Sequence, residues 1–409
     1  MAKQSAGRAV IVGGSLSGLF VGLLLRRLGW EVDIFERVDC ELAGRGAGIV
    51  THKPLCDALD TIGIEWRDHL GVEVATRRLF RRDGSLQLEH RCPQILTSWD
   101  RMYDLLRSAF PSSRYHHGEE LSGIEQDKSG VAAHFVGGAR VSGDLLVGCD
   151  GIQSAVRSII LPDVRPVYVG YVAWRGLISE TALSSDVHEQ IFMHLSFCLP
   201  QGEQVLGYPV AGPGNDLRPG HRRYNLVWYR PASVLELRRL LTDDQGVVHD
   251  ISIPPPSVSR AAINAMRTAA DDRLAPQFRA CWRVTEQPFL QAIYDVQSPR
   301  LAFGRVTIVG DASYVARPHC GAGVTKAADD AMVLAKALAG KPTVEQALLD
   351  YEANRVPLCS SVVEHARRLG SYLQAQTKSD SERRAATRHF SAEAVLRETA
   401  TLDFLAKAI

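Results

Sequence analysis

The chain has little that would send it to a membrane, a metal or a nucleic acid. Over 409 residues the formal net charge is +1, so no field of one sign argues for a polyanionic partner. The eight cysteines, at 40, 56, 92, 149, 198, 281, 320 and 359, contain no CxxC pair and no cluster at metal-ligand spacing. They read as reduced thiols of a cytoplasmic protein, and no metal is expected. The apolar run at residues 10–25 is shorter than a membrane span and is broken by glycine and serine. It also lacks the cationic leader and small-residue cleavage site of a signal peptide. No low-complexity linker, internal repeat or Ser-His-Asp arrangement stands out. What is present is an ordinary soluble composition, 45% hydrophobic and 23% charged, in a length that suits two domains.

The most informative stretch is Gly13-Gly14-Ser15-Leu16-Ser17-Gly18. Before it, Ala9-Val10-Ile11-Val12 reads as a buried parallel strand, and after it residues 19–28 read as an apolar helix. A strand, a glycine turn and a helix leave backbone N–H groups free at the helix N-terminus, where the dipole favours a pyrophosphate. A second strand, residues 31–36, ends in Glu36 about 20 residues on, where an acid holds a ribose hydroxyl. Ser15 stands where the dinucleotide fingerprint has its middle glycine, and its hydroxyl could serve a phosphate oxygen instead. Arg37 follows the acid and is a further cofactor candidate.

Two more stretches share this character. Residues 145–147 form a buried strand that delivers Gly148-Cys149-Asp150-Gly151, with a helix beginning near Ser154. Locally this is a turn that caps a helix. Residues 305–309 form another buried strand, which delivers Gly310-Asp311-Ala312 and then Pro318, Gly321, Gly323, Val324 and Thr325 at the start of a helix over 327–338. A carboxylate at Asp311 can accept hydrogen bonds from sugar hydroxyls. Between these motifs the pattern predicts helices at 53–62 and 99–110, a strand pair around Asp83-Gly84, and a β-meander from 122 to 147. From residue 168 the chain turns aromatic and β-branched, with strands at 168–176, 190–199, 204–210 and 223–230 and helices at 232–241 and 256–270. Beyond 341 it is helical over 344–354, breaks at Pro357 and resumes over 360–376.

In this order and separation the three stretches resemble the single-component FAD-dependent aromatic hydroxylases, the p-hydroxybenzoate hydroxylase-like flavoprotein monooxygenases. The resemblance covers most of residues 8–370. It is strengthened by Gly170-Tyr171-Val172-Ala173-Trp174-Arg175-Gly176, Arg317-Pro318-His319 and Lys326-Ala327-Ala328-Asp329-Asp330-Ala331, which point to the branch of 2,6-dihydroxypyridine 3-hydroxylases. It implies an α/β fold: a Rossmann-like, three-layer FAD-binding domain with a mainly parallel sheet and a β-meander, an inserted, mostly antiparallel substrate domain, and C-terminal helices. The expected division is 1–165 and 291–340 for the FAD-binding part, 166–290 for the substrate part and 341–409 for the helical end. The tail beyond 379 is expected to pack on the body or on a second subunit of a homodimer.

The resemblance also implies site residues. Gly46-Ala47-Gly48-Ile49 matches the segment that passes along the flavin, with Arg45 beside it as a phosphate or ribityl contact or a solvated charge. Arg101 matches an arginine that reaches the cofactor, its alternative being a surface charge. Asp150 would touch both FAD and the nicotinamide coenzyme. Tyr208-Pro209 matches a tyrosine-proline pair at the substrate wall, and Trp174, His194 and Pro318 join it as substrate candidates. Catalytic candidates for proton work are His52, His319 and Tyr208. The implied reaction uses FAD, NADH or NADPH as transient reductant, and O2, through a flavin C4a-hydroperoxide, to hydroxylate a hydroxypyridine or similar small ring. The alternatives are a salicylate-type phenol hydroxylase, an oxidase, a reductase, or a flavin sensor without turnover. Thr325 departs from the asparagine common in the family, and Asp330 matches a recurrent structural acid.

Overall fold

The computed structural model describes residues 6–42, 48–373, 379–381, 384, 386 and 391–402. Two large sheets organise it. The first has six strands, in the order Ala302–Phe303, Val306–Ile308, Leu145–Gly148, Arg8–Val12, Glu31–Glu36, Tyr115–His117. All its pairings are parallel except that of the first two strands. Strands Arg8–Val12 and Leu145–Gly148 are apolar on both faces and almost wholly buried, as parallel strands covered on both sides must be. The helices Leu16–Arg27 and Gly323–Gly340 pack together in the same apolar core. A three-stranded meander, Leu121–Gln126, Val131–Phe135 and Arg140–Gly143, precedes strand Leu145–Gly148.

The second sheet has nine strands, in the order Tyr314–Val315, Phe289–Gln297, Val167–Ser179, Arg223–Pro231, Gln204–Val210, Leu195–Cys198, Val72–Phe80, Leu86–Ser98, Gly48–Val50. It is antiparallel except where Leu195–Cys198 meets Val72–Phe80. The long central strand Val167–Ser179 alternates. Val169, Tyr171 and Ala173 face one apolar cluster, while Val172, Trp174 and Ile178 face another against helices Arg260–Arg273 and Pro276–Val284.

Three local expectations change. Residues 190–199 are not one strand: a helix, Ser185–Ile191, precedes the short strand Leu195–Cys198. Helix Pro276–Val284 and strand Phe289–Gln297 were not foreseen. The helix does not break at Pro357 but runs through it, from Val344 to Gly370. An interior proline costs about 3 kcal/mol, yet Tyr351, Arg355, Cys359, Val362 and Val363 are all buried around it. Packing of that face overrides the local preference.

Candidate active site

The motifs converge because their strands are neighbours. Strands Val306–Ile308, Leu145–Gly148, Arg8–Val12 and Glu31–Glu36 lie side by side and parallel, so all four carboxyl ends open on one edge. The backbone ties these ends together: Gly13 N donates to Phe35 O (2.8 Å), Cys149 N to Val12 O (2.7 Å) and Val309 N to Gly148 O (2.9 Å). An open parallel sheet binds nucleotides at such a crevice.

Gly13 has φ +102°, a conformation closed to other residues, and turns the chain into helix Leu16–Arg27. That helix has no acidic residue in its first turn, and the N-cap Ser15 makes no side-chain cap bond. Its leading N–H groups and the Ser15 hydroxyl are therefore available to a pyrophosphate. Leu16 is buried beneath the turn, and the buried Ser17 hydroxyl is set against Gly310 and the Cys149 thiol. Glu36 accepts from Gly14 N (2.8 Å) and Val38 N (3.1 Å), one bond on each oxygen, which leaves lone pairs for ribose hydroxyls. Arg37 beside it is exposed.

Asp150 takes the capping role: it accepts from Ser154 Oγ (2.5 Å) and Val156 N (3.0 Å) at the start of helix Ala155–Ile160. Burial raises its pKa, against those hydrogen bonds. Asp311 differs. It is open to solvent although protein crowds round it, and it makes no hydrogen bond to another described residue. Burial raises its pKa, and Lys326 opposes the shift. A carboxylate so placed suits the hydroxyls of a ribityl chain. Behind it, Lys326 Nζ donates to Gly310 O (2.9 Å) and Asp330 (3.0 Å), and Asp330 also receives Arg355 Nε (2.7 Å) and Gly310 N (3.0 Å). Burial opposes charge on Lys326 and Asp330, yet their mutual attraction keeps both ionised. This network fixes the Gly310-Asp311 turn. Helix Gly323–Gly340 starts without a side-chain cap, so the N–H groups near Gly323, Val324 and Thr325 can face an electron-rich ring edge. The cradle therefore fits FAD.

Beside it, on one face of the nine-stranded sheet, packs a cluster of buried aromatic side chains, a candidate ring-binding chamber. His319, in the turn Pro318–Cys320, is fully buried, with its ring against Tyr229 (centroids 4.6 Å apart), Tyr171 (5.7 Å) and Tyr372 (6.4 Å). Its Nε2 lies 2.8 Å from Tyr171 Oη, and its Nδ1 has no partner among the described residues. Burial, then the charge of Arg317, push its pKa down to about 3, so the ring is neutral. Burial holds the Tyr171 phenol well above its usual value, so it keeps its proton and donates to Nε2. The imidazole proton then sits on Nδ1, since the reverse arrangement would strand two buried groups instead of one. His319 thus presents a donor. With so low a pKa it is a poor base, so the arrangement favours a donor over the expected proton acceptor there.

Tyr208 is also buried on this face, and burial raises its pKa. Gly48 lies flat against its ring, where a Cβ would overlap it, and Gly48 N donates to Asn225 Oδ1 (3.3 Å). Ile49 is buried beside it. Arg175, on the same strand face as Tyr171, donates to Gln291 (2.9 Å) and interacts electrostatically with Tyr208 and Tyr229. His52 is engaged at both nitrogens, Nδ1 with Thr325 Oγ1 (3.0 Å) and Nε2 with Ala400 O (3.3 Å). A carbonyl only accepts, so the proton is on Nε2 and Thr325 donates to Nδ1. His52 has no free lone pair for a substrate in this arrangement.

Other candidates are not brought here. Trp174 belongs to the opposite face, packed with Trp228 and Trp282, because strand alternation turns it away from Tyr171. His194 binds Thr76 Oγ1 (2.5 Å), one residue from the inward-facing Arg77 and so on the other side of that strand. Arg101 Nε is instead turned to the His69 carbonyl, to which it donates (3.1 Å). Arg45, Gly46 and Ala47 lie outside the described residues. Tyr171, Tyr229, Tyr372 and Arg175 were not foreseen as site residues. The signal for Tyr171 and Arg175 was present: both lie at odd positions of the strand that holds Trp174 at an even one. Among the described residues no group of His, Cys, Asp or Glu is arranged to hold a metal, all eight cysteines are free, and no helix is long and apolar enough to cross a membrane.

Comparison with known proteins agrees with an FAD-binding fold. A family model described as an FAD binding domain matches residues 7–203 and 292–366, and a second, FAD binding domain-like, matches residues 168–295. The chain is 30% identical over 373 residues to a 2,6-dihydroxypyridine 3-monooxygenase of Paenarthrobacter nicotinovorans, covering 90% of this chain and 91% of the relative. It is 29% identical to a 3-amino-4-hydroxybenzoate 2-monooxygenase of Streptomyces cremeus, over 88% and 86% of the two chains. Among solved structures, the 2,6-dihydroxypyridine-3-hydroxylase from Arthrobacter nicotinovorans superposes with a TM-score of 0.86 at 28% identity, over 94% of this chain and 96% of that one. The Klebsiella pneumoniae protein HpxO, solved with FAD and uric acid, shares the fold with a TM-score of 0.74 at 20% identity, over 98% and 95%.

Proposed function

This chain belongs to the FAD-dependent aromatic monooxygenases of the FAD binding domain family, and from that premise we propose that it hydroxylates a small electron-rich ring, a hydroxypyridine, in the cytoplasm with NADH or NADPH as transient reductant. The observation that carries the reading is the His319–Tyr171 pair: a buried neutral imidazole whose Nδ1–H has no acceptor among the described residues, set among Tyr229, Tyr208 and Tyr372 beside the turn that leads from Asp311. Bound FAD, reduced by the coenzyme, would supply the electrons that activate O2, from which one oxygen atom goes to the ring.

The chain's own residues do the rest. Helix Leu16–Arg27, Ser17 and Glu36 hold the nucleotide, and Asp311 holds the ribityl chain. The N-terminus of helix Gly323–Gly340 favours negative charge on the ring edge. Tyr208, Tyr229 and Tyr171 form apolar walls that exclude water and stack the substrate. His319 Nδ1 donates a hydrogen bond to a ring oxygen, and Arg175 supports the ring's oxyanion form. Electron density is then highest on the ring when it meets the oxygen atom. The test is a screen of 2,6-dihydroxypyridine, other hydroxypyridines and phenols for stimulated oxidation of NADH or NADPH under labelled O2. A hydroxypyridine that stimulates oxidation and gains one labelled oxygen is the expected result. Stimulation by none of the rings, or a product free of label, overturns the reading.

A further inference from the structure

We infer that residues 391–400, near the end of the chain, are the outer wall of the ring-binding chamber, and that Arg77 is the positioning residue that seats them. The chemistry invoked rests on the hydroxylase reading, but the geometry does not. Ser391 caps helix Ala392–Glu398, accepting from Ala394 N (3.1 Å). Val395 and Leu396 are buried in the apolar cluster that contains Tyr171, Tyr208, Tyr229 and Tyr372, so this helix lies on the chamber face. Ala400 follows, and its main chain joins the two histidines that the motifs single out. Its N–H donates to His319 O (2.8 Å), and its carbonyl receives His52 Nε2 (3.3 Å). A Cβ on Gly321 would stand 3.0 Å from that of Ala400. Ala400 therefore touches both sides of the turn that opens helix Gly323–Gly340.

The seat is built for this segment. Arg77 is fully buried. Its guanidinium donates to the carbonyls of Leu396 (3.0 Å), Thr399 (2.6 Å) and Ala400 (3.3 Å), and its Nη2 donates to Gln94 Oε1 (2.6 Å). The last carbonyls of a helix lack partners within it, and a forked cation satisfies several at once. Gln94 Nε2 reaches the Ala400 carbonyl as well (3.0 Å). Arg77, Gln94 and His52 thus compete for two lone pairs on Ala400, so Gln94 is partly redundant. Arg77 is not, because it alone of these spans all three carbonyls. Ala400 is held at φ +54°, a left-handed conformation that a non-glycine residue adopts only when its surroundings impose it. A displaced segment would move the His52 ring and the His319 carbonyl together and admit water to the chamber.

The test uses the full-length holoenzyme, Arg77→Met, Arg77→Lys and a chain ending at residue 390. Iodide quenching of bound FAD fluorescence reads solvent access without any substrate. Product formed per NADH or NADPH oxidised, with 2,6-dihydroxypyridine as probe, reads coupling. For Arg77→Met and the shortened chain, quenching is expected to rise severalfold, coupling to fall severalfold, and KM for the ring to rise more than kcat falls. Arg77→Lys should fall between Arg77→Met and the parent. Unchanged quenching and coupling in a folded, FAD-bearing shortened chain would overturn the proposal. If that chain does not fold, hydrogen exchange on the parent holoenzyme decides: protection of the Ala400 N–H is expected, and exchange at the free-chain rate overturns it. If no ring stimulates coenzyme oxidation, the hydroxylase reading fails while quenching and exchange still judge the wall.

Discussion

Strand Val167–Ser179 serves two interiors. On one face Val172, Trp174 and Ile178 meet Trp228, Trp282 and the helices Arg260–Arg273 and Pro276–Val284. The main charge there, Glu203, is answered locally by Trp228 Nε1 (2.9 Å), Arg230 (3.3 Å) and Arg273 (2.6 Å). On the other face Tyr171 and Ala173 meet Tyr208, Tyr229, Tyr372 and His319. That face is lined by phenols whose ionisation burial suppresses, and by an imidazole donor that no group among the described residues accepts. One face stores packing energy, and the other holds oriented polar groups beside the cradle. A period of two in the side chains separates them.

The largest expected effect tests that separation directly. Trp174→Ala should cost about 3–5 kcal/mol of stability, the usual range for emptying an aromatic site in a packed core, and leave KM for the ring nearly unchanged. Denaturant titration and steady-state kinetics together check it. A large rise in KM at near-parental stability would put Trp174 back on the chamber side. Next, Asp311→Ala should weaken FAD retention by about 2 kcal/mol, roughly thirtyfold in Kd, as expected for losing hydrogen bonds to a charged group. The readout is flavin content after dialysis, and a variant as yellow as the parent would remove Asp311 from the cradle.

A third prediction uses pH. The buried His319 has a folded pKa of about 3, below the ordinary histidine value of 6.5. On acidification below pH 6.5 the unfolded chain takes up this proton and the folded chain does not, so stability falls. The slope approaches about 1.4 kcal/mol per pH unit for one such group. Between pH 6.5 and 4.5, above most carboxylate titration, His319→Gln should flatten the fall by about that slope. Parallel curves for variant and parent would mean the imidazole is not held neutral.

The cradle was legible in the sequence because it is local: each motif is a buried strand followed by its own turn, and the sheet only had to set the strands side by side. The chamber was not. Choosing Trp174 from Tyr171-Val172-Ala173-Trp174 required knowing which face of the strand meets the cofactor, and pattern alone does not say. Arg77 was hidden by a bulge. The register of strand Val72–Phe80 against Leu86–Ser98 shifts between Val74 and Thr76, so the even-numbered inward pattern becomes odd, and an arginine that simple alternation sends to solvent is turned inward. Tyr372 and Ala400 reach the site from far along the chain, with no local signature.

The smallest effect probes the chamber most finely. Tyr171→Phe removes one hydroxyl and almost no volume, so stability should fall by only about 1 kcal/mol. Its consequence is for the proton on His319. With the phenol present, Nε2 accepts and Nδ1 carries the proton toward the ring substrate. With phenylalanine, neither nitrogen has a partner among the described residues, and the two neutral tautomers become comparable. Nitrogen chemical shifts of the His319 ring should therefore show one tautomer in the parent and a mixture in the variant. The fraction with the proton on Nε2 can no longer donate to a ring oxygen, so kcat should drop by up to about the share of molecules lost, a factor near two if the tautomers are evenly populated. A single tautomer retained in the variant, or a parent already mixed, would show that Tyr171 does not orient His319. The chamber face would then differ from the helix face in composition but not in how it places a proton.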